Sequence, residues 1–248
     1  PPMYGNVPSY GSGGGGNSNP YGGGGGGGGN ANRFGGGGGG GAVSSSPIVI
    51  SGSGLWTPAH TITNEELVNA YNGYADLFNT NNADAIASGE IQEVPYSSAE
   101  FVEKASGIKS RYAYVKEGIL DIHRMRPLIP ERSDEELSDQ AEIAIAAAKQ
   151  AMQQANKTGA DIDMVIVACA YTQRSYPAIA IEVQHALEIE GFGFDMLVAC
   201  SAATFALQRA HDAVVAGTAR CVLTINPELT SPQVNYKDRD SHFIFGDV

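Results

Sequence analysis

Beyond residue 46 the apolar positions of this chain alternate between short unbroken runs and helical spacing. Met164–Cys169 is an unbroken run of strand length, the pattern of a strand covered on both faces. Met196–Ala199 is a run of the same kind, and Cys221-Val222-Leu223-Thr224-Ile225 reads as a further strand. Pro47–Ile50 reads as a first strand leaving through Gly52 and Gly54, and Phe243–Phe245 opens a further one. Ile108–Val115 reads as a strand or extended segment. Helices fall between these runs. Thr63-Asn64-Glu65-Glu66 carries the reciprocal capping-box signature and opens a helix through about Phe78, broken by Asn79–Asn82. Ser97-Ser98-Ala99-Glu100 repeats that signature ahead of a short helix stopping at Gly107. Ser133-Asp134-Glu135-Glu136 opens a long helix to about Asn156, with Ile143, Ala147 and Ala151 on one face. Ala178–Leu187 is another helix, ending near Gly191. Strands alternating with helices predict an α/β fold, a mostly parallel sheet flanked by helices.

The sharpest local pattern lies around Met196–Ala199. This short buried strand passes through Cys200 directly into a helix, where Ala202, Ala203, Phe205, Ala206, Leu207, Ala210, Ala213, Val214 and Val215 are apolar nearly all round. Such a helix is covered on more than one side. Gly217 supplies its stop. Cys200 therefore sits at a helix N-terminus, where unpaired N–H groups and the helix dipole favour a thiolate. The competing reading is a buried, inert cysteine, since free cysteines are among the most buried residues. In an open α/β sheet the C-terminal ends of the strands are where ligands bind.

Composition divides the 248 residues in two. Residues 1–46 hold 21 of the 32 glycines and read as a disordered Gly/Ser/Asn/Tyr-rich leader, while 47–248 is one domain. Tyr4, Tyr10, Tyr21 and Phe34 could stack on RNA, but Arg33 alone is too little charge for such binding. The chain carries a net charge of −12, which disfavours nucleic acid and anionic membranes. Cys169, Cys200 and Cys221 form no disulfide framework and suit a reducing cytoplasm. No apolar run is long enough to span a bilayer, and the start carries no secretory-signal pattern. Gly52 and Gly54 lack the later glycine or lysine of a nucleotide loop, and no G-x-S-x-G hydrolase elbow is present.

Four segments taken together resemble the N-terminal half of the β-ketoacyl-ACP synthase III family. They are Ile50-Ser51-Gly52-Ser53-Gly54-Leu55-Trp56-Thr57-Pro58, Lys104 through Arg111, Phe194 through Ser201, and Asp238 through Asp247. The resemblance covers about 47–248. It implies the thiolase fold, two similar halves stacked in five layers, of which this is the first. It implies that Cys200 is the nucleophile, taking an acyl group from acyl-CoA while its backbone N–H helps hold the oxyanion. Condensation with malonyl-ACP in fatty-acid biosynthesis follows. Arg239 matches a CoA-contacting arginine. Phe101 stands where the family has an adenine-stacking tryptophan, Ala105 where it has an arginine, and Lys104 lies beside them. Tyr176, before Pro177, matches an aromatic that shapes the partner's acyl pocket across a dimer. No cofactor and no metal is implied beyond acyl-CoA and acyl carrier protein as substrates. The family's catalytic His and Asn belong to the other half, so the chain as given is expected to acylate but not condense. It is also expected to need a homodimer partner or a complementary C-terminal half. The alternative is a non-catalytic, partner-binding remnant. His242 reads as structural, His185 and His211 as surface or packing residues, and the helical insertion at 64–96 as the mark of a different acyl substrate.

Overall fold

The computed structural model describes residues 47–248; the glycine-rich stretch 1–46, expected to be disordered, lies outside the described residues. In chain order the elements are β1 (His60–Thr63), α1 (Asn64–Asn81), α2 (Ala83–Ala87), α3 (Ala99–Ser106), β2 (Ser110–Ala113), α4 (Asp139–Gln154), β3 (Met164–Cys169), α5 (Ile179–Ala186), β4 (Phe192–Leu197), α6 (Ala202–Val215) and β5 (Val222–Ile225). Strands β4-β3-β5 form a parallel sheet with β3 in the middle. All six residues of β3 are buried, as an unbroken apolar run requires. Their alternation divides the core. Val165, Val167 and Cys169 pack with Ala141, Ala144, Ala148, Ile179, Ala180 and Val183 of α4 and α5. Met164, Ile166 and Ala168 pack on the other face against Ala202, Ala206 and Ala213 of α6. The small residues of α4 and α6 let both helices approach the sheet closely.

A second core gathers around the antiparallel pair β1–β2. Leu67, Val68 and Tyr71 of α1 pack there with Ile62, Val102, Ala113, Tyr236 and Phe243. The capping box that opens α1 forms as read: Thr63 Oγ1 accepts from Glu66 N–H at 3.2 Å, and Glu66 accepts from Thr63 N–H at 2.9 Å. Asp247, 1 % exposed, joins this unit to the rest of the chain. Its carboxylate accepts from Tyr114 N–H at 2.7 Å and Ser231 N–H at 2.8 Å. No helix among the described residues is long and apolar enough to cross a membrane.

Five expectations are corrected. Pro47–Ile50 joins no ladder: Ile48, Val49 and Ile50 are exposed. The following backbone is held by side-chain amides of α4, with Gln154 accepting from Ser53 N–H at 2.5 Å and Gln150 from Leu55 N–H at 3.3 Å. Gly52 and Gly54 serve this close approach, since a Cβ would lie 2.2 Å from Ala151 O or 2.0 Å from Ala147 O. Phe243–Phe245 is not a strand. Its backbone is committed to a turn, with His242 N–H on Asp238 O at 3.0 Å and Ile244 N–H on Ser241 O at 3.3 Å.

The long helix starts at Asp139 rather than beside Ser133. Ser133–Glu136 closes a turn on itself. Ser138 is the true cap because its N–H and O–H are fixed on Glu182 at 2.8 and 2.7 Å while its oxygen receives Ala141 N–H at 3.1 Å. At α3 the cap is Ser98, receiving Phe101 N–H at 3.0 Å; the reciprocal glutamate falls one place out of register. Finally, β4 begins at Phe192, ends at Leu197 and is not buried. It is the sheet's edge, and the exposed sides of Phe192, Phe194 and Leu197 follow from having β3 on one flank only.

Candidate active site

The three parallel strands end together, and the segments leaving them carry the candidate chemistry. Parallel pairing of β4 stops at Leu197 opposite Cys169, and one further bond, Val198 N–H to Cys169 O at 3.3 Å, continues the strand direction. Ala199 then turns the chain with φ of +47°, a left-handed conformation that costs a residue with a Cβ about 1 kcal/mol. Ser201 N–H closes the turn on Val198 O at 3.1 Å, and α6 starts at Ala202. Cys200 stands in this strained turn, with its N–H ahead of the first helical hydrogen bonds. Its side chain is exposed.

The other two cysteines differ. Cys169 is fully buried in β3, its Sγ 3.0 Å from Tyr171 O, and burial pushes its thiol up to about 12. Cys221 is half-buried and its thiol is likewise raised by burial. Cys200 is thus exposed at the strand-to-helix junction, not buried as the competing reading expects.

Glu228 follows β5. Its Oε1 accepts Ala170 N–H at 2.8 Å, and its Oε2 is buried with no partner among the described residues. Burial holds this carboxyl above its ordinary range, against the opposing pull of the Ala170 bond. Asn226 Nδ2 donates to Ala168 O at 2.8 Å, stitching the end of β5 to β3. On the opposite flank, Asp195 of β4 accepts Ile179 and Ala180 N–H, both at 2.8 Å, and so caps α5 from across the sheet. The sequence reading missed both acids. The signal for Asp195 was present: a lone charge inside an apolar strand must find a partner.

The predicted nucleotide-contacting residues divide. Arg239 and Phe101 come together, the guanidinium carbon 3.9 Å from the ring centroid. Arg239 Nε also donates to Tyr96 O at 2.8 Å, and its terminal nitrogen to Asp240 at 3.2 Å. Lys104 is exposed one turn along α3 from Phe101. Tyr176 stands on the segment between β3 and α5, 90 % exposed. His242 is fully buried, stacked on Tyr71 with centroids 4.9 Å apart, consistent with a structural role. His185 and His211 are exposed on α5 and α6. Among the described residues no group of three or more His, Cys, Asp or Glu side chains comes together to hold a metal.

Comparison with known proteins gives this geometry a context. A family model described as 3-oxoacyl-[acyl-carrier-protein] synthase III matches residues 194–248. A β-ketodecanoyl-[acyl-carrier-protein] synthase of Pseudomonas aeruginosa is 54% identical over 179 residues, 72% of this chain and 51% of that protein. A β-ketoacyl-[acyl-carrier-protein] synthase III of Agrobacterium fabrum is 31% identical over 163 residues, 65% of this chain and 44% of that protein. Among solved structures, the 3-oxoacyl-[acyl-carrier-protein] synthase III of Aquifex aeolicus aligns with a TM-score of 0.57 at 26% identity, over 80% of this chain and 50% of that one. The synthase III of Pseudomonas aeruginosa PAO1 aligns with a TM-score of 0.58 at 18% identity, over 80% of this chain and 48% of that one, a likeness of fold. The chain spans about half the length of the curated relatives it matches.

Proposed function

We propose, on the premise that this chain is a β-ketoacyl-ACP synthase III-like protein of the thiolase fold, that Cys200 accepts an acyl group from acyl-CoA. The observation that carries this is the exposure of Cys200 at the strained β4–α6 junction, where the other two cysteines are withdrawn. The thiolate attacks the thioester carbonyl, a new carbon–sulfur bond forms, and the bond to the CoA sulfur breaks. CoA leaves as its thiolate and takes up a proton from solvent. Cys200 N–H, ahead of α6, helps hold the oxyanion as it develops. Arg239, with Phe101 and Lys104, holds the nucleotide end of the CoA. Tyr176, free of its own chain, shapes an acyl pocket against a second copy. Condensation of the bound acyl group with malonyl-ACP follows where the family's His and Asn are supplied.

The Pseudomonas relative is named for a β-ketodecanoyl product. Subtracting the two carbons that malonyl contributes leaves an octanoyl primer, so a medium-chain acyl-CoA is the proposed donor, with the helical segment 64–96 as the proposed source of that preference. Apolar side chains left half exposed on α6, Phe205, Leu207 and Val215, together with exposed Leu197 of β4, support self-association or docking of the other half of a thiolase fold. The unpaired cysteines suit a cytoplasmic setting.

The test is release of CoA. Mixing the chain with octanoyl-CoA and separating the products by chromatography should give close to one equivalent of free CoA per chain, abolished in Cys200→Ala. Equal release from the Cys200→Ala variant would overturn the proposal.

A further inference from the structure

Arg239 is supported from two directions, and both supports run through one side chain of α1. The first is a strap, residues 94–97, between α2 and α3. Its Tyr96 carbonyl accepts Arg239 Nε–H at 2.8 Å. Three α1 side chains fix that strap. Asn79 exchanges two bonds with the Val94 backbone at 3.0 and 2.9 Å. Asn72 exchanges two with the Ser97 backbone at 3.0 and 2.9 Å. Tyr71 Oη donates to Pro95 O at 3.0 Å. Pro95 and Ser97 flank Tyr96, so the carbonyl that receives Arg239 is clamped on both sides.

The second support is the turn that carries Arg239. His242 N–H closes it on Asp238 O at 3.0 Å, His242 Nδ1 reaches the same oxygen at 2.9 Å, and Ser241 Oγ donates to the Asp238 carboxylate. The His242 ring lies flat on Tyr71, centroids 4.9 Å apart and planes 10° apart. Phe243 meets His242 edge-on at 5.4 Å and Phe101 at 6.0 Å, which returns the chain of contacts to the ring under Arg239. Tyr71 and His242 are 1 % and 0 % exposed.

We infer that Tyr71 is the positioning residue for Arg239: its ring seats the turn that carries the arginine, and its hydroxyl seats the strap that receives it. Two of the five guanidinium N–H groups are then fixed, on Tyr96 and Asp240, and three remain to meet the phosphate-bearing nucleotide of acyl-CoA. This use of the arginine rests on the acyltransferase reading above. Holding the fork in place before the ligand arrives removes ordering cost from binding.

The experiment uses the full chain and four forms: unmodified, Tyr71→Phe, Arg239→Ala and the double variant, each checked for folding by circular dichroism. Calorimetric titration with CoA should show Tyr71→Phe weakening binding about fivefold, the net worth of one hydrogen bond. The rate of Cys200 acylation at saturating octanoyl-CoA should be unchanged. In the Arg239→Ala background Tyr71→Phe should weaken binding no further. An equal loss in both backgrounds, or a lower saturated rate with unchanged affinity, overturns the inference. A second readout needs no ligand: exchange of Arg239 Nε–H, followed by nuclear magnetic resonance, should quicken at least severalfold in Tyr71→Phe, and unchanged exchange overturns the positioning role. If the unmodified chain binds no CoA, the acyltransferase reading falls instead, and the exchange measurement still judges the positioning.

Discussion

Replacing Asp195 with alanine should cost the chain about 2–5 kcal/mol of unfolding free energy. The magnitude follows from the cap on α5. Ala178, the residue before that helix, offers no side-chain acceptor, and the first two helical N–H groups, Ile179 and Ala180, point instead at the two oxygens of Asp195, each at 2.8 Å. Both donors belong to fully buried residues. Alanine leaves them without an acceptor, at about 1–3 kcal/mol each, and removes a negative charge from a helix N-terminus, worth up to about 1 kcal/mol. Local relaxation and water entry at the sheet edge reduce the sum. Such a loss is a large fraction of a domain's whole stability. Urea unfolding of the two chains gives the measurement: at a slope of about 2 kcal/mol per molar, the midpoint should fall by about 1–2.5 M. Asp195→Asn, which keeps one oxygen acceptor, should fall between. A midpoint shift under about 0.3 M in Asp195→Ala would show that α5 does not depend on this cap.

Three further outcomes follow. Alkylation of the native chain by iodoacetamide should modify Cys200 far ahead of Cys169, whose thiol near 12 leaves roughly one part in ten thousand ionised at pH 8; peptide mapping that finds Cys169 modified as fast would refute the burial argument. Burial holds the His242 imidazole below its ordinary range despite the Asp238 and Arg239 backbone contacts, with Arg111 adding repulsion, so the unfolded chain binds the proton first. Stability should therefore fall as pH drops below about 6.5, levelling at the folded-state value, and His242→Phe should remove that slope in unfolding curves taken across the range. An unaltered slope contradicts the assignment. Gly54→Ala, which sets a Cβ 2.0 Å from Ala147 O, should free the 51–55 segment from α4, seen as faster amide exchange at Ser53 and Leu55; unchanged exchange would mean the helix yields instead.

Much of the fold was legible where an element is specified locally, as β3 and the start of α1 are. Met164–Cys169 is an unbroken apolar run of strand length, too short for a helix, and it forms a strand covered on both faces. Thr63 and Glu66 cap α1 within a single turn, so the pattern is complete in four residues. The misread elements depend on distant partners. Ser138 caps α4 only because Glu182, far along the chain, orients it. The apolar run at Ile48–Ile50 looks like a strand, but the glutamines of α4 hold the backbone beyond it. At the site, Cys200 was visible from the strand-to-helix pattern, and Arg239 with Phe101 only from family resemblance. Tyr71, Tyr96 and Glu228 left no local trace: one acts through a ring and a hydroxyl, one through a carbonyl, and one through a buried oxygen at the end of a strand.

The central claim, that Cys200 receives the acyl group, is tested most directly by mapping the adduct. The full chain is treated with octanoyl-CoA, quenched in acid, digested and sequenced by tandem mass spectrometry. A single octanoyl thioester is expected on the peptide containing Cys200, with Cys169 and Cys221 unmodified. An octanoyl group on Cys169 or Cys221 with Cys200 free, or no adduct on any cysteine, would contradict it.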